Sequence, residues 1–152
     1  MGKIIISDTS CLIALGNIGT LNLLKDLFNE VIITREVKEE YGEILPGWFI
    51  VMKVNDHHKL AEIAARLDLG EASSIALALE LDNAMLIIDE IKGRNIAKSL
   101  NIEIIGTIGI LLLAYDKGLI NDFLGTIQKL VISGFRVSEV LIEKLTEKYG
   151  KK

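Results

Sequence analysis

Ile4-Ile5-Ile6-Ser7-Asp8 near the start and Leu86-Ile87-Ile88-Asp89 in the second half decide how this chain folds. Each is an unbroken aliphatic run that ends on an aspartate, without the polar alternation of a half-exposed strand. Such runs are expected of parallel strands covered on both faces. They place strands at Lys3–Ser7 and Ala84–Ile88, and β-rich segments at Val31–Ile33, Phe49–Val54 and Ile102–Ile105 extend the set. Between them, apolar residues recur at one-face helical spacing: Leu60, Ile63, Ala64 and Leu67, then Ala72, Ile75, Ala76 and Leu79. Ile108, Leu111, Leu112 and Tyr115 repeat the pattern, and Val137, Val140, Leu141 and Leu145 form a terminal stripe. Strand–helix alternation of this kind implies an α/β layered sheet.

A chain of 152 residues suits one domain with a proper core. That domain is expected over residues 1–147, followed by a frayed basic tail over 148–152. Pro46-Gly47 reads as a turn, and Gly118 and Gly134 as helix ends. Hydrophobic residues at 50% and charged residues at 25% exclude a disordered chain. Mean hydropathy of +0.40 calls for a doubly buried sheet, a partner-covered patch, or both, and a homodimer is expected on that ground. The most apolar stretch, Ile102–Tyr115, is too short to cross a bilayer. Met1-Gly2-Lys3 shows no signal-peptide pattern, and the single Cys11 leaves no internal disulfide. A cytoplasmic protein with no membrane association is the expectation. Net charge of −4 and a pI near 5.2 argue against nonspecific coating of nucleic acid. They leave a nuclease open, because bound metal ions offset the charge of an acidic pocket.

In open α/β sheets, ligands bind beyond the carboxyl ends of the strands. Asp8 and Asp89 both sit at such ends and converge if their strands are neighbours; the plainer alternative makes each a helix N-cap. Thr34 is a good N-cap for the helix after Val31-Ile32-Ile33, and Val37, Tyr41 and Ile44 then form its inward stripe. On that helix Glu40 faces inward and Glu39 outward, unless Glu40 stays at the rim and reaches water. Glu71 follows Gly70 on the buried side of a first helical turn, where it serves either a site or the helix dipole. Glu90 is a fifth carboxylate or half of an i,i+4 pair with Arg94. Glu90, Arg94 and Lys98 share one helix face, either a phosphate-positioning strip or a solvated surface. Thr9 and Ser10 bring hydroxyls beside Asp8, to orient it or to cap the next helix.

Carboxylates gathered without soft ligands suit a hard cation, Mg²⁺ or Mn²⁺. No Gly-x-Gly-x-x-Gly or Walker loop follows the first strand. His57-His58 lacks a spaced Cys or His and is expected to be a surface pair ahead of a helix. Cys11, inside Cys11-Leu12-Ile13-Ala14-Leu15, reads as a core residue.

Several motifs together resemble a PIN domain, the fold of VapC-type toxin ribonucleases and related prokaryotic PIN-domain proteins. They are Ile6-Ser7-Asp8-Thr9-Ser10, Val37-Lys38-Glu39-Glu40, the run from Leu69-Gly70-Glu71 to Ala78, and Leu86-Ile87-Ile88-Asp89-Glu90. Gly93-Arg94-Asn95-Ile96-Ala97 and Ile105-Gly106-Thr107-Ile108-Gly109-Ile110-Leu111 complete the set. The resemblance implies a three-layer α/β/α fold with a mainly parallel central sheet. It implies metal-binding acids at Asp8, Glu40, Glu71 and Asp89, with Ser10 supporting the first and Arg94 nearby. Many toxins carry Asp at the third acid and Thr-x-Asp at the fourth. Here Glu71 and Ile88-Asp89-Glu90 stand instead, so Asp89 and Glu90 both remain candidates for the fourth place. The implied activity is Mg²⁺- or Mn²⁺-dependent endoribonuclease cleavage of single-stranded RNA, with a cognate antitoxin as partner. Two alternatives are a noncatalytic regulatory or nucleic-acid-binding module on the same fold, and a phosphohydrolase with Asp8 as nucleophile. Against the latter, Asp8-Thr9-Ser10 lacks the second Asp expected two residues on.

Overall fold

A computed structural model describes residues 2–150. Its strands are β1 (Ile4–Ser7), β2 (Val31–Thr34), β3 (Phe49–Met52), β4 (Ala84–Ile87) and β5 (Glu103–Ile105). They form one all-parallel sheet in the order β3-β2-β1-β4-β5. The helices among the described residues are α1 (Thr9–Asn17), α2 (Asn22–Phe28), α3 (Arg35–Tyr41), α4 (His57–Ala64) and α5 (Leu69–Glu80), then α6 (Ile91–Ser99), α7 (Thr107–Asp116), α8 (Phe123–Ile132) and α9 (Glu139–Tyr149).

Alternate residues of β1 enter different cores, which is why its aliphatic run is unbroken. Ile5 joins Leu12, Leu15, Leu24, Ile87, Ile110 and Leu130 on the face covered by α1, α2, α7 and α8. Ile6 joins Leu86, Ile88, Ile63, Ile75 and Ala97 on the face covered by α4, α5 and α6. The result is the three-layer α/β/α arrangement, with strand positions within two residues of the sequence reading. No single helix among the described residues is long and apolar enough to cross a membrane.

Four local expectations change. Ile44 is not on the inward stripe of α3: Gly42, at φ 72°, ends that helix after Tyr41 and leaves Ile44 99% exposed. Leu79 is exposed at the end of α5, whereas the helix is buried on every side from Gly70 to Ala78. The terminal stripe contributes less than its spacing suggests. Val137 precedes α9, Val140 and Leu141 are exposed, and Leu145 with Tyr149 makes the contact to the core. Lys148 and Tyr149 belong to α9 and not to a tail, because Tyr149 packs on Tyr115 and Phe123 at ring distances of 5.8 and 4.9 Å. Lys151 and Lys152 lie outside the described residues.

Candidate active site

From β1 the chain travels to β2 and β3 on one side, then returns to β4 and β5 on the other. The β1/β4 boundary is therefore the point where strand order reverses, and the crevice above it is where α/β sheets bind ligands. Ser7 pairs with Ile87, and the Asp8 amide donates to the Ile87 carbonyl at 3.0 Å. The two aspartates are thus carried to the same end of adjacent strands, Asp89 one residue beyond the level of Asp8.

Asp8 is the N-cap of α1, with Oδ1 accepting from the Cys11 amide at 3.1 Å. That satisfies the capping alternative for one oxygen only. The residue is fully buried, and among the described residues Oδ2 has no hydrogen-bond partner. Burial pushes the Asp8 pKa up to about 8. The Cys11 amide opposes that rise, repulsion from Asp89 and Glu71 adds to it, and the Asp89 amide opposes it weakly without reaching hydrogen-bond geometry. The carboxyl therefore holds a proton at neutral pH unless positive charge is brought beside it.

Glu71 stands in the first turn of α5, 7% exposed, as its place in the sequence implied. Burial raises its pKa to about 7, with Asp68, Glu90 and Glu40 adding repulsion and a carboxyl–carboxyl contact to Asp68 acting the same way. Asp68, which the sequence reading passed over, is the N-cap of α5, accepting from the Glu71 amide at 2.9 Å. Its signal was present, since Asp68-Leu69-Gly70-Glu71 has the spacing of a capping box.

Glu40 is exposed overall, yet its carboxylate is hydrogen-bonded toward the cluster. Oε1 accepts from Thr9 Oγ1 at 2.6 Å and Oε2 from the Gly70 amide at 2.9 Å. The second bond sets a negative charge at the N-terminus of α5, where the helix dipole favours it. Gly70 lets Glu40 approach this closely, because a Cβ there would occupy the place of Glu40 Oε1 and push the carboxylate aside. Glu39 is exposed and lines a separate depression with Arg35, Lys38 and Ile44 that contains none of these acids.

Asp89 and Glu90 separate clearly. Asp89 is half-buried and is no cap of its own helix; Oδ1 accepts from the Thr107 amide at 2.8 Å and Oδ2 from Thr107 Oγ1 at 2.6 Å. It thereby caps α7, whose own N-cap residue, Gly106, offers no side chain. A Cβ on Gly106 would stand 3.0 Å from both Asp89 Oδ1 and Arg94 Nη1. Glu90 is exposed and caps α6 through a long 3.4 Å contact from the Lys92 amide. It makes no ion pair with Arg94, whose Nη1 donates to the Ile88 carbonyl at 2.8 Å. Lys98 is exposed and does not extend the strip into the crevice.

The acids border two adjoining depressions. One, of about 250 Å³, is lined by Thr9, Ser10, Ile13, Glu40, Asp68 and Glu71. The other, of about 800 Å³, has Ser10, Asp89, Glu90, Arg94 and Arg136 in its wall. Ser10 is the residue common to both, and Asp8, being fully buried, lines neither. Cys11 is buried with its thiol pKa pushed up by burial, as a core residue and no nucleophile. His57 and His58 are exposed in the first turn of α4, capped by Asp56, and so sit within that helix and not ahead of it.

The donor chemistry fits a hard divalent cation: oxygen ligands only, one buried oxygen without a partner, and two carboxyls whose burial penalises negative charge. Among the described residues, however, no three His, Cys, Asp or Glu side chains are gathered closely enough to hold a metal ion in this arrangement. Glu40 and Asp89 are held instead by Thr9, Gly70 and Thr107.

Neither a curated protein nor a solved structure gives a significant match to the chain. A family model, DUF3368, described as a PIN domain, matches residues 4–151. That match takes in nearly the whole sequence and agrees with a parallel sheet whose central strand ends on a buried acid, so the chain belongs to the PIN domain family, a fold of the nuclease type.

Proposed function

We propose that the protein is a toxin-type endoribonuclease that cleaves single-stranded RNA with Mg²⁺ or Mn²⁺ held by Asp8, Glu40, Glu71 and Asp89. The observation that carries this reading is the Asp8 carboxyl, buried, with one oxygen unpartnered and two further acids raising its pKa. A buried carboxyl of this kind costs stability unless positive charge compensates it. Asp8 and Glu71 are the donors freest to hold a cation, and Glu40 and Asp89 flank them. A divalent ion there supplies charge neutralisation at the phosphate and an activated water.

The chain's own groups do the rest. Thr9 and the Gly70 amide orient Glu40, and Thr107 orients Asp89. Ser10, exposed where the two depressions meet, offers a hydroxyl to a phosphate oxygen. Arg94, tied to the Ile88 carbonyl, adds positive charge beside Asp89. Because Asp8 must lose its proton to act as a ligand, cation affinity rises with pH up to about 8.

We further place the protein in the cytoplasm, paired as a homodimer and held by a cognate antitoxin. The support is its lone cysteine and the exposed Ile44, Ile132 and Val140, at 99%, 80% and 61%.

A mixture of RNA and DNA incubated with Mn²⁺ tests the central reading. RNA alone is cut by the natural chain and neither polymer by Asp8→Asn; equal cleavage by the variant overturns the assignment. A second reading, a noncatalytic PIN module, is favoured by one observation: Asp89 and Glu40 already have their hydrogen bonds within the protein. Absence of both cleavage and any Mn²⁺-induced rise in Tm selects it.

A further inference from the structure

The larger depression carries more than the acids require. Besides Asp89 and Glu90, its wall contains two arginines, Arg94 and Arg136, and exposed aliphatic surface from Ile91 and Leu141, at 72% and 36%. The ion pairs formed among the described residues are Lys3–Glu103 and Lys59–Glu62, so neither arginine makes a direct ion pair, and Arg136 is the one of the two not set beside Asp89 at Gly106.

The backbone on either side of Arg136 is anchored. Gly134, at φ 110°, turns the chain after α8, the Phe135 amide donates to the Leu130 carbonyl at 3.0 Å, and the Phe135 ring packs on the core. Two residues on, Ser138 caps α9 by accepting from the Leu141 amide at 3.1 Å. The segment between these anchors presents an exposed Arg136 to the groove.

We infer that this groove seats the strand leading away from the acid cluster, with Arg136 contacting a backbone phosphate and the exposed aliphatic wall receiving base faces. The inference rests on the ribonuclease reading and deepens it, by assigning a residue and a path to the bound strand. A single-stranded nucleic acid is the ligand whose chemistry matches both walls, since it carries regularly spaced anions and apolar base faces together. Continuity decides for RNA over a peptide, because Ser10 lines this groove and the acidic cleft alike, so one strand can span both.

The test is binding, not cleavage. A fluorescent single-stranded RNA is titrated with the full chain in EDTA at several salt concentrations. Arg136→Ala is compared with Arg136→Lys and with Arg66→Ala, which removes the same charge outside both depressions. Arg136→Ala should weaken binding by about five- to tenfold. It should also reduce the slope of log affinity against log salt by about 0.7, the share of one phosphate contact on a single strand. Arg136→Lys should retain most of the slope, and Arg66→Ala should match the natural chain. A urea midpoint for each variant shows that the fold is kept. The inference is overturned if Arg136→Ala binds like the natural chain, as it would were the groove a peptide site. It is equally overturned if Arg66→Ala weakens binding as much, or if the natural chain binds no RNA. Arg136-dependent binding without Mn²⁺-dependent cleavage would defeat the ribonuclease reading alone.

Discussion

Replacing Asp8 with Asn should stabilise the metal-free protein in alkaline solution and hardly affect it in acid. Asp8 has a folded pKa of about 8 against an ordinary 3.8. A carboxyl whose pKa is raised by folding binds its proton more tightly in the native state, so its contribution to stability is intact below the unfolded value. It is lost progressively as pH rises from about 4 through about 8. At about 1.4 kcal/mol per pH unit, the full loss approaches roughly 5–6 kcal/mol, of which about 3 kcal/mol falls between pH ~5.5 and ~8.5. These figures are upper bounds, because part of the rise is repulsion from neighbouring carboxylates and Glu71 titrates beside it. Asn has no charge to bury but places an amide where Oδ2 now lacks a partner, a cost of about 1–3 kcal/mol. Near pH ~5.5 the two terms cancel within about 1–2 kcal/mol; near pH ~8.5 the variant should be more stable by about 2–4 kcal/mol. Urea denaturation in EDTA across that range measures both. Excess Mn²⁺ should reverse the order, because only the natural carboxylate gains a ligand. Parallel pH profiles for the two proteins would refute the burial argument for Asp8.

Three further outcomes follow from other contacts. Thr107→Val deletes the hydroxyl bonded to Asp89 Oδ2; it should cost about 1–3 kcal/mol by thermal denaturation and reduce Mn²⁺-dependent cleavage further than the lost stability explains. Gly70→Ala should change Tm little, because Glu40 can swing outward, yet lower cleavage, because its Cβ occupies the place of Glu40 Oε1; unchanged cleavage would remove Glu40 from the site. Sedimentation at micromolar concentration should give a dimer, with Ile44→Glu as the first substitution to try if the patch by β3 is the contact; a clean monomer in the natural chain contradicts the homodimer.

What was legible in the sequence is what local pattern determines. The aliphatic runs before Asp8 and Asp89 specified doubly covered parallel strands, and β1 and β4 proved to be neighbours. Helical phase separated Glu40 from Glu39 in direction, since Glu40 bonds to Thr9 and Gly70, although both residues are exposed and the burial expected of Glu40 is not found. How differently Asp89 and Glu90 are held was not legible, because it depends on Thr107, 18 residues away, arriving beside Asp89 when β5 pairs with β4. Arg136 was equally hidden, since its position follows from how the α8–α9 turn folds back over β5 and α6. Ile44 was misplaced because the apolar stripe was followed past Gly42, where the left-handed turn ends α3. The all-round burial of α5 exceeded its stripe because α3, α4 and α6 and the sheet all contact it.

A divalent cation at the Asp8 cluster would show itself in an anomalous-scattering map from crystals grown with Mn²⁺. A manganese peak should stand at about 2.0–2.3 Å from Asp8 Oδ2, with Glu71 as a second ligand. A map with no peak at the ends of β1 and β4, or with manganese bound only elsewhere, would contradict the assignment.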